Sequence, residues 1–153
     1  MVSADSSSGL TNKVIDALYV EVMVLADEAR SYFDDFSAEE RHHMDPVMRV
    51  SFSCESLKVT TRLMHVMAWL LTQRAVIGGE MDDVHPHNPS LRLGPPVTTD
   101  ADILARLPES AQSIINSSID LFLRSKRLDK KLLMPDEASS PARALIQKLQ
   151  RSF

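Results

Sequence analysis

Residues 46–77 read PVMRVSFSCESLKVTTRLMHVMAWLLTQRAVI. Asp45 precedes them and Gly78-Gly79 follows. An aspartate is a good N-cap, and a proline in the first turn gives up no hydrogen bond there. Glycine is the usual residue just past a helix end. The stretch therefore predicts one helix from Pro46 to about Ile77, roughly 45–50 Å long at 1.5 Å per residue. Two apolar stripes run along it. Val47, Val50, Cys54, Leu57, Thr61, Met64, Ala68, Leu71 and Ala75 alternate steps of three and four without a slip. Phe52, Val59, Leu63, Val66, Leu70 and Ile77 form the second stripe. A bundle helix with one face in water needs only one such stripe. Two stripes mean a helix covered on both sides, either wrapped by its own chain or meeting another copy of itself.

The rest of the chain supplies few helices to do the wrapping. Leu10, Val14, Leu18, Glu21, Leu25, Ala29 and Tyr32 recur at helical spacing, giving a first helix over about residues 11–34. Residues 1–9 are Ser-rich and lack periodicity, and are expected to be a loose tail. Ser37-Ala38-Glu39-Glu40 has the spacing of a capping box and predicts a short connecting helix over about 38–43. Pro86, Pro89, Gly94, Pro95 and Pro96 mark residues 80–100 as a long loop, the kind that is functional or disordered. Asp100 or Asp102 caps a short turn, and Pro108 opens a third helix to about Leu133. The third stripe is Leu104, Leu107, Ala111, Ile114, Ser118, Leu121, Ser125, Leu128 and Leu132. After a linker, Ala142 to Phe153 has an amphipathic pattern with Leu145, Ile146 and Leu149 on one side. It is too short to be a stable helix alone, so it docks on the bundle, docks on a partner or is disordered. The expected architecture is all-α: an antiparallel three-helix bundle with a long central helix over residues 10–134, and flexible termini at 1–9 and 135–153.

Composition narrows the function. The 153 residues are one domain's worth, with 44% hydrophobic and 25% charged side chains, ordinary values for a soluble protein. One cysteine excludes a disulfide scaffold and fits a reducing compartment. No apolar run approaches the ~18 residues of a membrane span. Met1-Val2-Ser3-Ala4-Asp5-Ser6 lacks the basic and apolar parts of a signal peptide, so a cytoplasmic protein is expected. Net charge is −4, against a dedicated nucleic-acid binder. The charge is uneven, however. Residues 1–45 carry 3 basic and 10 acidic side chains, and residues 111–153 carry 8 and 4.

Reactive chemistry finds little support. His42 and His43 follow Glu39 and Glu40 at Glu-x-x-His spacing, but a di-iron bundle needs that motif on a second helix, which is absent. His85 and His87 with Glu80, Asp82 and Asp83 lie within eight residues, in a loop without a rigid frame. Cys54 reads as a small buried hydrophobe, and His65 lies three turns away from it. No phosphate loop and no nucleophile elbow occurs. No catalytic residue, cofactor or metal is assigned. The basic end of helix three, Arg124, Lys126 and Arg127, offers an alternative reading as a nucleic-acid-associated helical regulator.

Several segments together resemble a known family. They are Ala29-Arg30-Ser31-Tyr32-Phe33-Asp34, Glu40-Arg41, and Glu55-Ser56-Leu57-Lys58-Val59-Thr60-Thr61-Arg62-Leu63-Met64. Next come Ala68-Trp69-Leu70-Leu71-Thr72-Gln73-Arg74-Ala75-Val76, Gly79-Glu80, Arg92-Leu93, Leu107-Pro108 and Arg127-Leu128-Asp129. Over about residues 14–134 the chain resembles the family of the bacterial regulator of CtrA degradation, RcdA. The resemblance implies a homodimeric three-helix bundle without catalysis. It implies an adaptor in regulated proteolysis that works with the ClpXP protease and a CpdR-like adaptor. It also implies a PopA-like adaptor, which binds cyclic di-GMP, bringing a transcription-factor cargo of the CtrA type. Action in the cytoplasm, at a cell pole with the protease, goes with that role. Val59, Leu63, Val66 and Leu70 are expected at a dimer or inter-helix interface. Arg124, Lys126, Arg127, Leu145, Ile146 and Leu149 are expected to contact partners.

Overall fold

The structure is a computed structural model that describes residues 2–81, 88–133 and 141–152. It is all-α, with no strand among the described residues. The elements are α1 (Val2–Ser31), a π-helical turn (Tyr32–Phe36), α2 (Ala38–His42), α3 (Pro46–Ile77), a 3-10 turn (Pro89–Leu91), α4 (Ala101–Arg106), α5 (Glu109–Leu133) and α6 (Pro141–Arg151). The first element corrects one expectation. Residues expected as a loose tail are helical from Val2, continuous with α1. The sequence signal missed there is the absence of any breaker except Gly9.

Local chemistry sets the ends of α3 as its sequence requires. The Asp45 carboxylate accepts from the Met48 amide at 2.8 Å, which satisfies one of the orphan donors of the first turn. At the far end the Gly79 backbone sits at φ 72°, a left-handed conformation that side chains resist. Its neighbours close the helix, with Gly78 N donating to Arg74 O at 2.9 Å and Glu80 N to Ala75 O at 3.0 Å. Asp100 caps α4 in the same manner, accepting from Asp102 N at 2.8 Å.

The capping box at Ser37 does not form. The chain leaves α1 through the π turn, in which Ser37 N donates to Tyr32 O at 2.8 Å. That turn buries Ser37 completely, and its hydroxyl donates back to Phe33 O at 2.9 Å. Glu40 is drawn instead to Tyr32, whose hydroxyl donates to it at 2.6 Å. Burial first, and then this hydrogen bond, push the Tyr32 phenol above its ordinary pKa.

Three helices enclose the core. Ion pairs and hydrogen bonds give their directions. Asp16 of α1 meets Arg74 of α3 at 2.6 Å, and Glu21 of α1 meets Arg124 of α5. Arg62 and Trp69 of α3 meet Ser118 and Asp129 of α5. Hence α1 runs antiparallel to the other two, while α3 and α5 run parallel. A parallel pair of helices needs the chain to return along their length, and residues 88–100 do so, from Leu91 beside Gln73 to Thr99 beside Glu55. The core is Ile15, Leu18, Val22, Leu25 and Ala29 of α1, the α3 stripe from Phe52 to Leu70, and Ala111, Ile114, Ile115, Leu121 and Phe122 of α5. Tyr32, Phe33 and Phe52 close one end, with ring centroids 5.0–6.3 Å apart.

Candidate docking surface

The long central helix has two faces of different chemistry. The inner face carries Glu55, Arg62, Trp69 and Gln73 among its apolar residues, and all four are buried. Glu55, Arg62 and Gln73 hold the returning strap directly, and Trp69 holds it through Asp129 of α5. Gln73 Nε2 donates to Leu91 O at 3.2 Å, and Arg62 Nε donates to Val97 O at 3.0 Å. Arg62 also donates to the Ser118 hydroxyl at 3.3 Å and to the Thr99 hydroxyl, which in turn donates to Glu55 at 2.6 Å. Lys58 completes this row with an ion pair to Glu55 at 2.9 Å. Burial lowers the Arg62 pKa, and the Glu55 charge opposes that shift. Asp129 of α5 anchors the other end of the strap. It accepts from Trp69 Nε1 at 3.1 Å and from the Leu93 amide at 3.2 Å, and it pairs with Arg92 at 2.7 Å. Side chains of two helices thus satisfy the strap's backbone at Leu91, Leu93 and Val97, which is how an irregular segment survives against a core. Leu91 and Leu93 are buried with it. The loop expected over 80–100 is therefore a fixed strap in its described part, residues 88–100.

The outer face of α3 is different in kind. Val47 is 77% exposed, Leu57 68%, Val50 64% and Met64 63%, and Leu71 is 47% exposed. Cys54 is exposed among them, against the expectation of a buried thiol. Every residue on this stripe is uncharged from Val47 to Ala75. Contiguous apolar patches of this kind on a monomer mark interaction sites. Shallow grooves flank the ridge. One, of about 530 Å³, runs between His65, Ala68, Thr72 and the strap at Arg92 to Val97. Another, of about 270 Å³, lies toward α1 and is lined by Ser56, Thr60, Met64 and Met67 with Ala29 and Phe33.

The residues singled out from sequence fall as follows. Val59, Leu63, Val66 and Leu70, expected at an interface, are 0–3% exposed and covered by α1 and α5. They are inter-helix core, so an interface with another molecule does not use them in this structure. The more regular of the two stripes is the one left open. Arg124 bonds Glu21 and Asp120. The Lys126 ammonium donates to the Leu93 carbonyl and, at 3.3 Å, to that of Gly94. Those two cations are engaged at home, while Arg127 is exposed. Leu145, Ile146 and Leu149 of α6 are 54–62% exposed, on one side of an 11-residue helix. Among the described residues no group of three or more His, Cys, Asp or Glu could hold a metal ion. His43 Nδ1 lies 2.8 Å from Glu39 O. His85, His87, Asp82 and Asp83 lie outside the described residues. No described helix is long and apolar enough to cross a membrane.

The family model described as "Protein of unknown function (DUF1465)" matches residues 6–153. The chain belongs to that family. No curated protein matches it. Among solved structures it is similar to RcdA from Caulobacter crescentus CB15, at 26% identity and a TM-score of 0.57. The match covers 77% of this chain and 89% of that one. The resemblance read from residues 14–134 is thus met by a likeness of structure. The segments that carried it also acquire a physical meaning. Glu55, Arg62, Trp69, Gln73, Arg92-Leu93 and Asp129 are the residues that fasten the strap. They hold the fold together, and none of them lies on the exposed apolar stripe of α3.

Proposed function

We propose that this chain is a non-enzymatic, homodimeric adaptor in regulated proteolysis. It helps bring transcription-factor cargo of the CtrA type to the ClpXP protease, with CpdR-like and PopA-like adaptors as companions. The observation that carries this reading is the likeness to RcdA over most of both chains. The physical layout supports it. An adaptor works through surfaces, and this molecule offers an uncharged apolar ridge on α3 and an apolar α6 face beyond its core. Exposed amphipathic helices are recognised through their apolar residues in a partner's groove. The alternative of nucleic-acid binding loses support, because Arg124 and Lys126 are spent on Glu21 and on strap carbonyls.

The test is a degradation assay with purified ClpXP, a receiver-domain adaptor and a DNA-binding response regulator as cargo. The chain is expected to accelerate cargo loss. Removing residues 135–153 is expected to abolish or weaken that acceleration. Cargo loss at the same rate with and without the full chain, across several response regulators, would contradict the proposal.

A further inference from the structure

We infer that the outer face of α3 pairs with the same face of a second copy, the two helices running antiparallel in one defined register. This rests on the homodimer in the reading above and supplies its face and geometry. The outer stripe repeats in sevens as two rows. One row is large: Val50, Leu57, Met64 and Leu71. The other starts at Val47, which the register below sets level with Gly78, and is smaller from there on: Cys54, Thr61, Ala68 and Ala75. Alternating steps of three and four are the seam of a two-helix coiled coil, in which each side chain fills a hole on the facing helix.

The distribution of size decides the orientation. A parallel, in-register pair would set the large row against itself and the small row against itself. That leaves bulky and empty layers in turn. An antiparallel pair sets each large residue against a small one, the interdigitation that dense packing requires. A single register does this along the whole helix. Val50 faces the other copy's Ala75, and Leu57 faces Ala68. Met64 faces Thr61, and Leu71 faces Cys54. Such a contact is self-complementary under two-fold symmetry, so it closes at two chains.

Charge points the same way. Lys58 and Arg74 border the seam, each paired within its own chain, with Glu55 at 2.9 Å and Asp16 at 2.6 Å, and no acidic side chain lies on the seam itself. Parallel pairing would place each cation beside its own copy. In the antiparallel register Lys58 comes level with Met67 and Arg74 with Ser51, so like charges stay apart.

The native thiol makes the register testable in the full-length protein. Under a mild thiol oxidant such as diamide, Leu71→Cys is expected to give a covalent dimer through Cys54 of the other copy. The added substitution Cys54→Ser should abolish it. Residues 54 and 71 of one helix are roughly 25 Å apart by helical rise, beyond the reach of an internal bridge. Wild-type protein forming an equally abundant Cys54–Cys54 dimer would overturn the antiparallel register. A Leu71→Cys protein that stays monomeric under oxidant would overturn it too. As a second variant, Leu57→Glu is on the surface and should fold, with its light-scattering mass halved. If wild type is a monomer and Leu57→Glu still loses cargo delivery, self-pairing falls and the adaptor reading stands. If the dimer forms as stated and no cargo is delivered, self-pairing stands and the adaptor reading falls.

Discussion

The two faces of α3 share one backbone and differ in what they ask of their neighbours. The inner face mixes Phe52, Val59, Val66 and Leu70 with buried Glu55, Arg62, Trp69 and Gln73. Each polar group there has a named partner on the strap or α5. The outer face is simpler, an uncharged apolar ladder that no described residue covers. The difference teaches that regular hydrophobic spacing reports a helix-to-helix seam without saying which molecule supplies the second helix. A fold-specific face is recognisable by its interruptions. A buried charge is costly unless it is paired, so Glu55, Arg62 and Trp69, seven residues apart in turn, announce a structured partner.

Substitutions can sharpen this contrast. The largest effect is expected from Asp129→Ala, which strips the acceptor from Trp69, Arg92 and the Leu93 amide. It should cost about 3–5 kcal/mol, as breaking a buried pair does, read by urea denaturation. Close behind is Leu63→Ala on the inner face, at about 2–5 kcal/mol for a buried leucine. Its outer-face counterpart, Leu57→Ala, should move the stability of the dissociated chain by no more than about 0.5 kcal/mol, measured at high dilution. Equal losses for the two leucines would erase the distinction between the faces. Lys126→Met should loosen the strap by about 1 kcal/mol, the scale of a single hydrogen bond. It would be seen as faster amide exchange over residues 91–99 with the core amides unchanged. Arg124→Ala should be smallest, below about 1 kcal/mol, because its pairs with Glu21 and Asp120 are half in water. A salt titration of wild type against the variant would show it.

Much of the fold was legible because its signals are local. Asp45-Pro46, Gly78-Gly79 and Asp100 mark ends that the structure keeps, and Pro108 precedes α5 as expected. Ser118 and Ser125, read as small residues allowing close approach, are fully buried. The failures have non-local causes. Ser37 carries a capping-box pattern, but the π turn buries it and redirects its hydroxyl to Phe33 O. The Pro-rich segment reads as a free loop because every group that fastens it lies 18 or more residues away in sequence. On α1, starting the stripe at Leu10 and Val14 missed Ile15 and Val22, both fully buried. Glu21, placed on that stripe, is outside and pairs with Arg124. Val59, Leu63, Val66 and Leu70, expected at a dimer or inter-helix interface, are inter-helix core, and spacing alone does not separate those two placements. The amphipathic pattern on α3 is two-sided, and only the positions of Asp129, Ser118 and the strap show which side faces inward.

The central claim is that α3 folds the chain with one face and binds with the other. The most direct test is sedimentation of wild type beside Leu57→Glu across a range of concentrations, with helicity followed in parallel. Wild type should sediment at twice the mass of the 17.1 kDa chain and Leu57→Glu at that of one chain, both fully helical. Identical masses for the two proteins would contradict the account.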